Sequence, residues 1–478
     1  MATRVLGLAL LCLHCTRAPA QDTLPQWEEV SINLPFSTTL RPVPTHEVTG
    51  YPWSVGGETM DRDYTLYDNW KEYVEPLGIT QIRLQSGWAK TEKVMGEYDF
   101  TWLDHIVRDL VERGVKPWLS LSYGNELYRG GGGIRLSGAL PSSGEAYRAW
   151  QDYVRATVDR YADVVDTWEV WNEPNNAWKG DRSKNRPEDY AKLLVATGDI
   201  IRERQPEATI IAFAVSGVDA DYVGQGLAEL QRQDKLSLVD LVAYHPYSRN
   251  PDDQDPAVER LRDTVAMYSD RIGLYQGENG APSEYRETKA LRGYKWTELS
   301  QAKWFLRRAL NDRAHGIGTN IFSIVDLQYP DEINRKGLLL TDDDKQVVRP
   351  KHAYRAVQHM VSVFDARLET MDTLRYTEDT YHGLQVYGFE RAGAPVVALW
   401  FSDNVPSDHN GTTAVDFTFA DLNFGDPVYV DLRTGVVYDI SKSYHRRTDA
   451  GHEFYDLPVY DSPLLIAERS AISSVTAR

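Results

Sequence analysis

The sequence predicts an α/β protein, a (β/α)8 TIM barrel followed by an antiparallel β-sandwich. Eight short apolar runs between residues 53 and 325 alternate with segments of helical periodicity, and this count and length fit a closed parallel barrel. Polar residues of chemical interest follow the ends of these runs, where the loops of such barrels carry functional groups. Beyond residue 365, short alternating runs between Gly, Asn and Asp turns are typical of a sandwich. A doubly wound open sheet is the structural alternative to the barrel.

The elements follow in chain order. Barrel strands are predicted at 53–57, 79–85, 116–123, 167–171, 209–215, 238–244, 273–276 and 319–325. Helices are predicted at 101–113, 145–161, 187–204, 256–272 and 299–315, and a last helix at 351–363 closes the barrel. Sandwich strands are predicted at 383–389, 396–401, 415–419, 428–431 and 464–468, while the extended segment 27–40 is expected to join the sandwich or lie along the barrel. The predicted domains are a signal peptide at 1–20, an extended segment at 21–50, the barrel at 51–364 and the sandwich at 365–478.

The N-terminus indicates the compartment. Arg4, an apolar run at 5–13 and the small-residue end at 18–20 together have the pattern of a cleaved secretory signal, and a buried N-terminal helix is the alternative. The run is too short to span a bilayer as a helix. Both cysteines lie inside this segment, so the mature chain would contain no disulfide and no thiolate nucleophile. We therefore predict a secreted protein, either extracellular or periplasmic.

The composition limits the partners. The chain is 42% hydrophobic and 26% charged, and its net charge of −18 disfavours nucleic acid and anionic membranes as partners. The same charge disfavours, without excluding, a strongly acidic polysaccharide. No later segment is apolar for long enough to predict membrane insertion. The 13 Trp and 28 Tyr residues suit a protein that stacks sugars on aromatic faces, although aromatic residues also fill cores.

Two carboxylates stand at predicted strand ends. Glu173 lies in the stretch Trp-Glu-Val-Trp-Asn-Glu-Pro-Asn that ends the fourth barrel strand, and Glu278 lies in Gln-Gly-Glu-Asn-Gly at the end of the seventh. Two acids that face each other across a cleft can cleave a glycosidic bond, one protonating the leaving oxygen and the other attacking the sugar. For a retaining reaction the expected separation of the two carboxyl groups is about 5 Å, against about 6.5 to 9.5 Å for inversion. The sequence therefore predicts a sugar-cleaving enzyme.

These motifs also carry a family resemblance. Residues 51–364 resemble the clan of retaining (β/α)8 glycoside hydrolases whose acid/base follows the fourth strand in an Asn-Glu-Pro turn, and within it most resemble glycoside hydrolase family 39 and its relatives. The resemblance implies that Glu173 is the general acid/base, that Asn172 holds the 2-hydroxyl of the sugar and that Glu278 is the nucleophile. It also implies that an arginine and a tyrosine hydrogen-bond the nucleophile, for which Arg83 and Tyr247 are the candidates.

The remaining candidates have less specific patterns. His245 is interpreted as a substrate ligand, a metal ligand or a core histidine, and because no His-rich spacing accompanies it we predict neither a metal nor an organic cofactor. Trp88, Asn125 and Trp178 follow the second, third and fourth strands and would form sugar-binding walls or ordinary loop packing. Many clan members end the eighth strand with a tryptophan under the sugar. This chain has none there, so Asp326, Gln328 or Tyr329 is expected in its place.

The predicted function is a retaining glycoside hydrolase that cleaves β-glycosidic bonds of a plant, algal or microbial glycan by double displacement. One alternative is an α-L-arabinofuranosidase or a transglycosylase that uses the same carboxylate pair. Another is a non-catalytic glycan-binding protein on an inactive barrel. The predicted partner is an oligosaccharide or polysaccharide, and the sequence leaves exo or endo action, oligomeric state and the identity of the sugar open.

Overall fold

A computed structural model describes residues 30–50 and 52–472 of the chain. The predicted signal peptide lies outside the described residues. One strand, β1 (Phe36–Thr39), precedes a closed parallel barrel. The barrel strands are β2 (Ser54–Gly56), β3 (Gln81–Gln85), β4 (Lys116–Leu121), β5 (Thr167–Val170), β6 (Thr209–Ser216), β7 (Leu241–His245), β8 (Gly273–Asn279) and β9 (Gly318–Ile321). Pairing of β2 with β9 closes the ring.

Helices cover the outside of the barrel. They are α1 (Tyr67–Trp70), α2 (Val74–Leu77), α3 (Trp88–Thr91), α4 (Thr101–Glu112), α5 (Gly144–Tyr161), α6 (Asn175–Gly180), α7 (Pro187–Arg204), α8 (Ala220–Arg232), α9 (Asp255–Ala266), α10 (Glu298–Ala314) and α11 (His352–Val363). The packing follows the sequence period: α4 buries Leu103, Ile106, Val107 and Leu110, one stripe of a 3.6-residue helix. Among the residues that the structure describes, no helix is both long enough and apolar enough to span a membrane.

The C-terminal region is made of antiparallel sheets. After two short hairpins, β10 (Leu327–Gln328) with β11 (Ile333–Asn334) and β12 (Leu339–Thr341) with β13 (Val347–Pro350), the strands are β14 (Glu369–Thr370), β15 (Tyr376–Glu378), β16 (Leu384–Arg391), β17 (Ala394–Phe401), β18 (Thr413–Phe419), β19 (Pro427–Asp431), β20 (Val436–Asp439), β21 (His445–Thr448), β22 (Gly451–Val459) and β23 (Leu464–Glu468). A seven-stranded sheet has the order β1-β20-β19-β23-β17-β16-β14, and a four-stranded sheet has the order β15-β18-β22-β21.

The seven-stranded sheet is buried on both faces, and the alternation along β17 explains how. Val396, Ala398 and Trp400 belong to the core shared with the barrel, whereas Val397 and Leu399 belong to the core between the two sheets. Successive strand side chains point to opposite faces, so one strand contributes to both cores. The sandwich is therefore packed against the barrel through a continuous apolar layer.

Helix α10 is the element that joins barrel and sandwich. Its buried Lys303 donates to the carbonyl oxygens of Ser407 and His409 and to Asp461, all in the sandwich. Its buried Arg307 donates to Asp252 in the barrel at 2.8 Å, and to the carbonyl oxygens of two residues that follow β17, Ser402 and Asn404. A charge removed from water is stable only with such partners, so these contacts fix the sandwich in one position.

The predicted fold class, a TIM barrel with an antiparallel sandwich, is confirmed. All eight predicted barrel strands and all six predicted helices are present. The helix predicted at 187–204 has those ends in α7, the other elements have shifted ends, and the largest helix difference is α9, which ends at Ala266 instead of 272. The extended segment does add a strand to the sandwich, since β1 pairs with β20. The exact domain limits stay a prediction.

Candidate active site

The carboxyl ends of the barrel strands bring the predicted site residues together. Arg83 lies on β3, Glu173 follows β5 by three residues, His245 ends β7 and Glu278 lies within β8. In a closed parallel barrel all these strand ends meet at one rim. Residues far apart in the chain thus form one cluster, and its hydrogen bonds define the site.

Arg83 is the centre of this cluster and is completely buried. Its Nη1 donates to Glu58 at 2.8 Å and to Glu278 at 3.2 Å. Its Nη2 donates to Glu169 at 2.5 Å and to the Oδ1 atom of Asn172 at 2.6 Å. The guanidinium is therefore a fixed positive charge that orients three carboxylates and one amide.

Glu278 is held in the ionised form. Tyr247 donates its hydroxyl to the Oε1 atom of Glu278 at 2.6 Å, while Arg83 contacts the Oε2 atom. Burial alone would raise the pKa of Glu278, but the charges of His245 and Arg83 and the Tyr247 hydrogen bond outweigh it and lower the pKa. Gly277 beside it allows His245 to approach, because a Cβ at that position would lie 3.2 Å from the His245 Nε2 atom.

Glu173 has a different environment. Its backbone is in the left-handed region, with φ of 48°, and its N–H donates to the Ala214 carbonyl oxygen at 3.0 Å. Strained backbone of this kind costs about 1–3 kcal/mol and persists where the surroundings impose it. The Oε1 atom of Glu173 shares a hydrogen bond of 2.8 Å with the Nδ1 atom of His245, and Asn176 donates to the Oε2 atom. The side chain is thus aimed and held from two sides.

The two carboxylates face each other at short range. One oxygen of Glu173, one oxygen of Glu278 and a ring nitrogen of His245 all lie within 4.8 Å of one another. His245 lies between the acids, and although burial opposes its charge, Glu278 and Glu173 raise the pKa of its ring. These three groups would also suit a metal ion, but their oxygens are already bonded to Tyr247, Arg83 and Asn176. Oxygens of the two acids within 4.8 Å of each other fit the roughly 5 Å separation of retaining glycosidases better than the roughly 6.5 to 9.5 Å of inverting ones.

Asn172 is fixed between two partners. Its Oδ1 atom accepts from Arg83 and its Nδ2 atom donates to the Tyr123 hydroxyl at 2.7 Å. An amide nitrogen carries two protons, so one donor remains for a ligand. This geometry suits the predicted hydrogen bond to a sugar hydroxyl.

A cavity of about 640 Å³ opens above this cluster. Glu173, Glu278, Tyr247 and Tyr329 all line it, so Tyr329 is the one of the three strand-eight candidates that reaches the cavity. Phe322 at the end of the eighth barrel strand also lines it, a residue that the sequence analysis did not select. Of the other two candidates, Asp326 pairs with Lys351 at 2.6 Å in the protein interior, and Gln328 donates to the Asp342 carbonyl oxygen.

Three predicted wall residues are placed elsewhere. Trp88 is fully buried, donates to Glu92 at 2.5 Å and stacks on Tyr128 and Tyr153. Asn125 is buried and donates to the Glu92 carbonyl oxygen at 2.9 Å. Trp178 packs edge-on against Tyr222 of α8. None of the three lines the cavity above Glu173. Trp88 borders a second pocket that shares Arg62 and Arg135 with that cavity, although its own ring is buried, and loop packing is the interpretation that the contacts of Asn125 and Trp178 support.

Three charged residues of this site, Glu58, Arg286 and Lys336, were not predicted from the sequence. Glu58 contacts Arg83 from below, and burial raises its pKa to about 7. Gly56, two residues earlier, leaves room for the Glu58 carboxylate, because a Cβ at Gly56 would lie 2.2 Å from it. Arg286 and Lys336 line the cavity from long loops that have no periodic pattern, and no sequence signal marked them.

Known structures share this architecture. A family 39 glycoside hydrolase from the gut symbiont Bacteroides cellulosilyticus is 20% identical with a TM-score of 0.61, over 87% of this chain and 81% of that one. A monomeric β-xylosidase from Caulobacter crescentus is 16% identical with a TM-score of 0.58, over 90% of this chain and 97% of that one. A family 30 endoxylanase from Clostridium papyrosolvens is 13% identical with a TM-score of 0.54, over 92% and 100%. At these identities the likeness establishes the fold.

The sequence comparison adds the class of protein. Residues 63–266 match the family described as Glycosyl hydrolases family 39. Together with the barrel and its facing carboxylates, this match makes the chain a retaining O-glycosyl hydrolase, whose substrate is a carbohydrate. The predicted resemblance to glycoside hydrolase family 39 is thereby confirmed.

Proposed function

We propose that the protein is secreted and cleaves β-glycosidic bonds of a plant, algal or microbial glycan by double displacement, with Glu278 as the nucleophile and Glu173 as the acid/base. The observation that carries this proposal is the unequal environment of two carboxylates whose oxygens lie within 4.8 Å. A nucleophile must be ionised, and the lowered pKa of Glu278 supports that role. An acid/base must exchange a proton, and the hydrogen bond between Glu173 and His245 supplies a path for one.

The reaction follows from these contacts. Glu278 attacks the anomeric carbon while Glu173 gives its proton to the departing oxygen, which leaves a glycosyl ester on Glu278. Glu173, now ionised, takes a proton from water, and that water cleaves the ester. Asn172 holds the sugar 2-hydroxyl next to the reacting carbon, where such a bond strengthens in the transition state.

Sugar release from a panel of aryl β- and α-glycosides and polysaccharides tests the two roles, with Glu278→Ala and Glu173→Gln in parallel. Glu278→Ala should lose activity, and azide should restore it as a glycosyl azide of inverted configuration. Glu173→Gln should lose turnover on poor leaving groups and retain sugar affinity. Glu287→Ala, on the exposed loop after β8, is the control that should keep full activity. Undiminished turnover in Glu278→Ala would refute the nucleophile.

The same panel decides between the linkages. Release from α-L-arabinofuranosides alone would replace the β-glycosidase proposal, and transfer to an added sugar in place of water would identify a transglycosylase. Secretion is tested separately by expressing the full chain and determining the N-terminus of protein recovered outside the cytoplasm. A chain retained in the cytoplasm with residues 1–20 attached would contradict it.

A further inference from the structure

The cavity above the two carboxylates carries positive charge although the chain is acidic. Five basic side chains and three acidic ones line it, against a net charge of −18 for the whole chain. The basic residues are Arg62, Arg135, Arg286, Lys289 and Lys336. An excess of one sign of charge in a cleft favours ligands of the opposite sign, and here the basic side chains outnumber the acidic ones. The charge of the whole chain is therefore a poor guide to the charge of its ligand.

Among the described basic side chains of this cavity, Lys336 is the one that is both buried and without an ion pair. Arg62 pairs with Asp61 at 3.2 Å, and Arg135 is exposed. Arg286 pairs with Glu332 at 2.7 Å, and Lys289 pairs with Asp331 and Glu332. Lys336 is only 3% exposed, and its Nζ atom rests on the Tyr247 ring, 3.8 Å from the centroid. Within 30–50 and 52–472 its ammonium makes no hydrogen bond and no ion pair, although it faces the cavity. Burying an unpaired ammonium costs several kcal/mol, so the empty site favours the neutral amine and a bound anion would favour the ammonium.

A second cation stands close to Lys336. Burial is the largest cause that lowers the pKa of Lys336 well below its ordinary value, and the charge of Arg286 is the next. The carboxylates of Glu278, Glu173 and Glu332 act in the opposite direction without restoring the ordinary pKa. Two cations held side by side in a buried wall repel each other unless an anion lies between them. Arg286 cannot move away, because it also donates to the Thr288 carbonyl oxygen at 2.9 Å and to Asn334 at 3.2 Å. The pair is a preformed place for a negative group.

We propose that the cavity takes a sugar that carries a negatively charged substituent, a carboxylate or a sulfate ester, and that Lys336 with Arg286 binds this substituent beside the cleaved bond. This inference rests on the proposed function, since it names the substrate class of the same site. Both substituents offer several anionic oxygens, which suit an ammonium and a guanidinium together. A neutral hydroxyl would not offset the charge of the buried ammonium.

A competing role for Lys336 is to tune Glu278, whose pKa its charge helps to lower. The two roles differ in kinetics. A residue that only tunes the nucleophile changes kcat for every substrate alike, whereas a residue that binds a substituent changes KM for the substrates that carry it. Lys336→Met keeps the length of the side chain and removes its charge, and Lys336→Arg keeps the charge.

The first measurement is binding, with the full-length Glu173→Gln protein in affinity electrophoresis. The gels contain acidic polymers, namely alginate, glucuronoxylan and a sulfated galactan, or neutral ones, namely arabinoxylan and a β-glucan. Retardation by an acidic polymer, lost when Lys336→Met is added and kept with Lys235→Met, is the expected result. Lys235 pairs with Asp199 outside the cavity and is the matched control. Retardation by neutral polymers alone, or by none, overturns the inference.

The second measurement is turnover of 4-nitrophenyl β-D-glucuronide, β-D-glucoside and 6-O-sulfo-β-D-glucoside, which differ only at C6. Lys336→Met should raise KM for one acidic substrate by roughly 30-fold or more and leave the glucoside unchanged, as removal of one partner of a buried charge pair predicts. The carboxylate and sulfate arms identify the substituent. An equal fall of kcat on all three substrates would show tuning and refute substituent binding. Binding without turnover of any substrate would contradict the proposed hydrolysis of these linkages and leave the anion site supported.

Discussion

Tyr247→Phe is the sharpest test of how the site keeps Glu278 ionised. The hydroxyl of Tyr247 donates to the Oε1 atom of Glu278 at 2.6 Å, and the phenol ring is the platform for Lys336. Phenylalanine retains the ring and removes only the donor. The carboxylate then keeps Arg83 and His245 as its positive neighbours and loses one hydrogen bond.

The size of the effect follows from the charge of the acceptor. A hydrogen bond to a charged group in a folded protein contributes about 1.5–3 kcal/mol. If that stabilisation belongs to the ionised nucleophile, kcat/KM should fall by roughly 10- to 150-fold at the pH optimum. Because the bond lowers the pKa of Glu278, its removal raises that pKa and moves the acid limb of the kcat/KM profile to higher pH.

The assay is the pH dependence of kcat/KM on the best aryl glycoside of the panel. Tyr244→Phe, on the strand that precedes Tyr247, is a matched control, because the buried Tyr244 hydroxyl has no hydrogen-bond partner within the part of the chain that the structure describes. Its removal should leave rate and profile unchanged. If Tyr247→Phe also keeps the wild-type rate and acid limb, the Tyr247 hydrogen bond does not support the nucleophile and the reasoning fails.

Three further predictions concern other parts of the molecule. Asn172→Ala should lower kcat/KM by roughly 100-fold on a glycoside with a 2-hydroxyl and by much less on the 2-deoxy analogue, since its bond to that hydroxyl contributes several kcal/mol in the transition state. Burial raises the folded-state pKa of Glu58 to about 7, so the folded protein binds this proton more tightly, and the free energy of unfolding should fall as the pH rises from about 4.5 to about 7. Glu58→Gln should remove this fall, and chemical denaturation across the range measures it. Arg307→Met should lower the free energy of unfolding by about 3–5 kcal/mol, because it leaves the buried Asp252 without its cation, and an equal stability of variant and wild type would contradict the role of α10 as the joint.

The sequence predicted the parts of the site that depend on strand order. Arg83, Glu173, His245 and Glu278 are each near the carboxyl end of an apolar run, and barrel closure brings such ends to one rim whatever their separation in the chain. Asn172 and Tyr247 follow from the same geometry, since each lies next to or within two residues of one of these. Periodicity therefore placed these residues at one rim, and the family resemblance supplied the roles expected of Asn172, Arg83 and Tyr247.

The errors have a common physical cause. Trp88 and Asn125 also follow strands, but both side chains donate to Glu92, Trp88 to its carboxylate and Asn125 to its carbonyl oxygen. The direction of a loop depends on tertiary contacts that a strand pattern does not contain. Lys336 and Arg286 were missed for the same reason, because they reach the cavity from the irregular segments around the β10–β11 hairpin and after β8.

The carboxylates around Arg83 have unequal surroundings, and this decides which of them binds a proton more readily. One guanidinium faces Glu58, Glu169 and Glu278, and it cannot neutralise three ionised acids in a buried site. Desolvation raises the pKa of Glu58 to about 7, and within the described chain its Oε2 atom has no hydrogen-bond partner. Glu278 experiences the same desolvation, but it also receives the Tyr247 hydroxyl and the charge of His245, so its pKa is lowered. Of Glu58 and Glu278, Glu58 is therefore the acid whose surroundings favour the protonated form, whereas the surroundings of Glu278 favour the ionised form that faces the sugar.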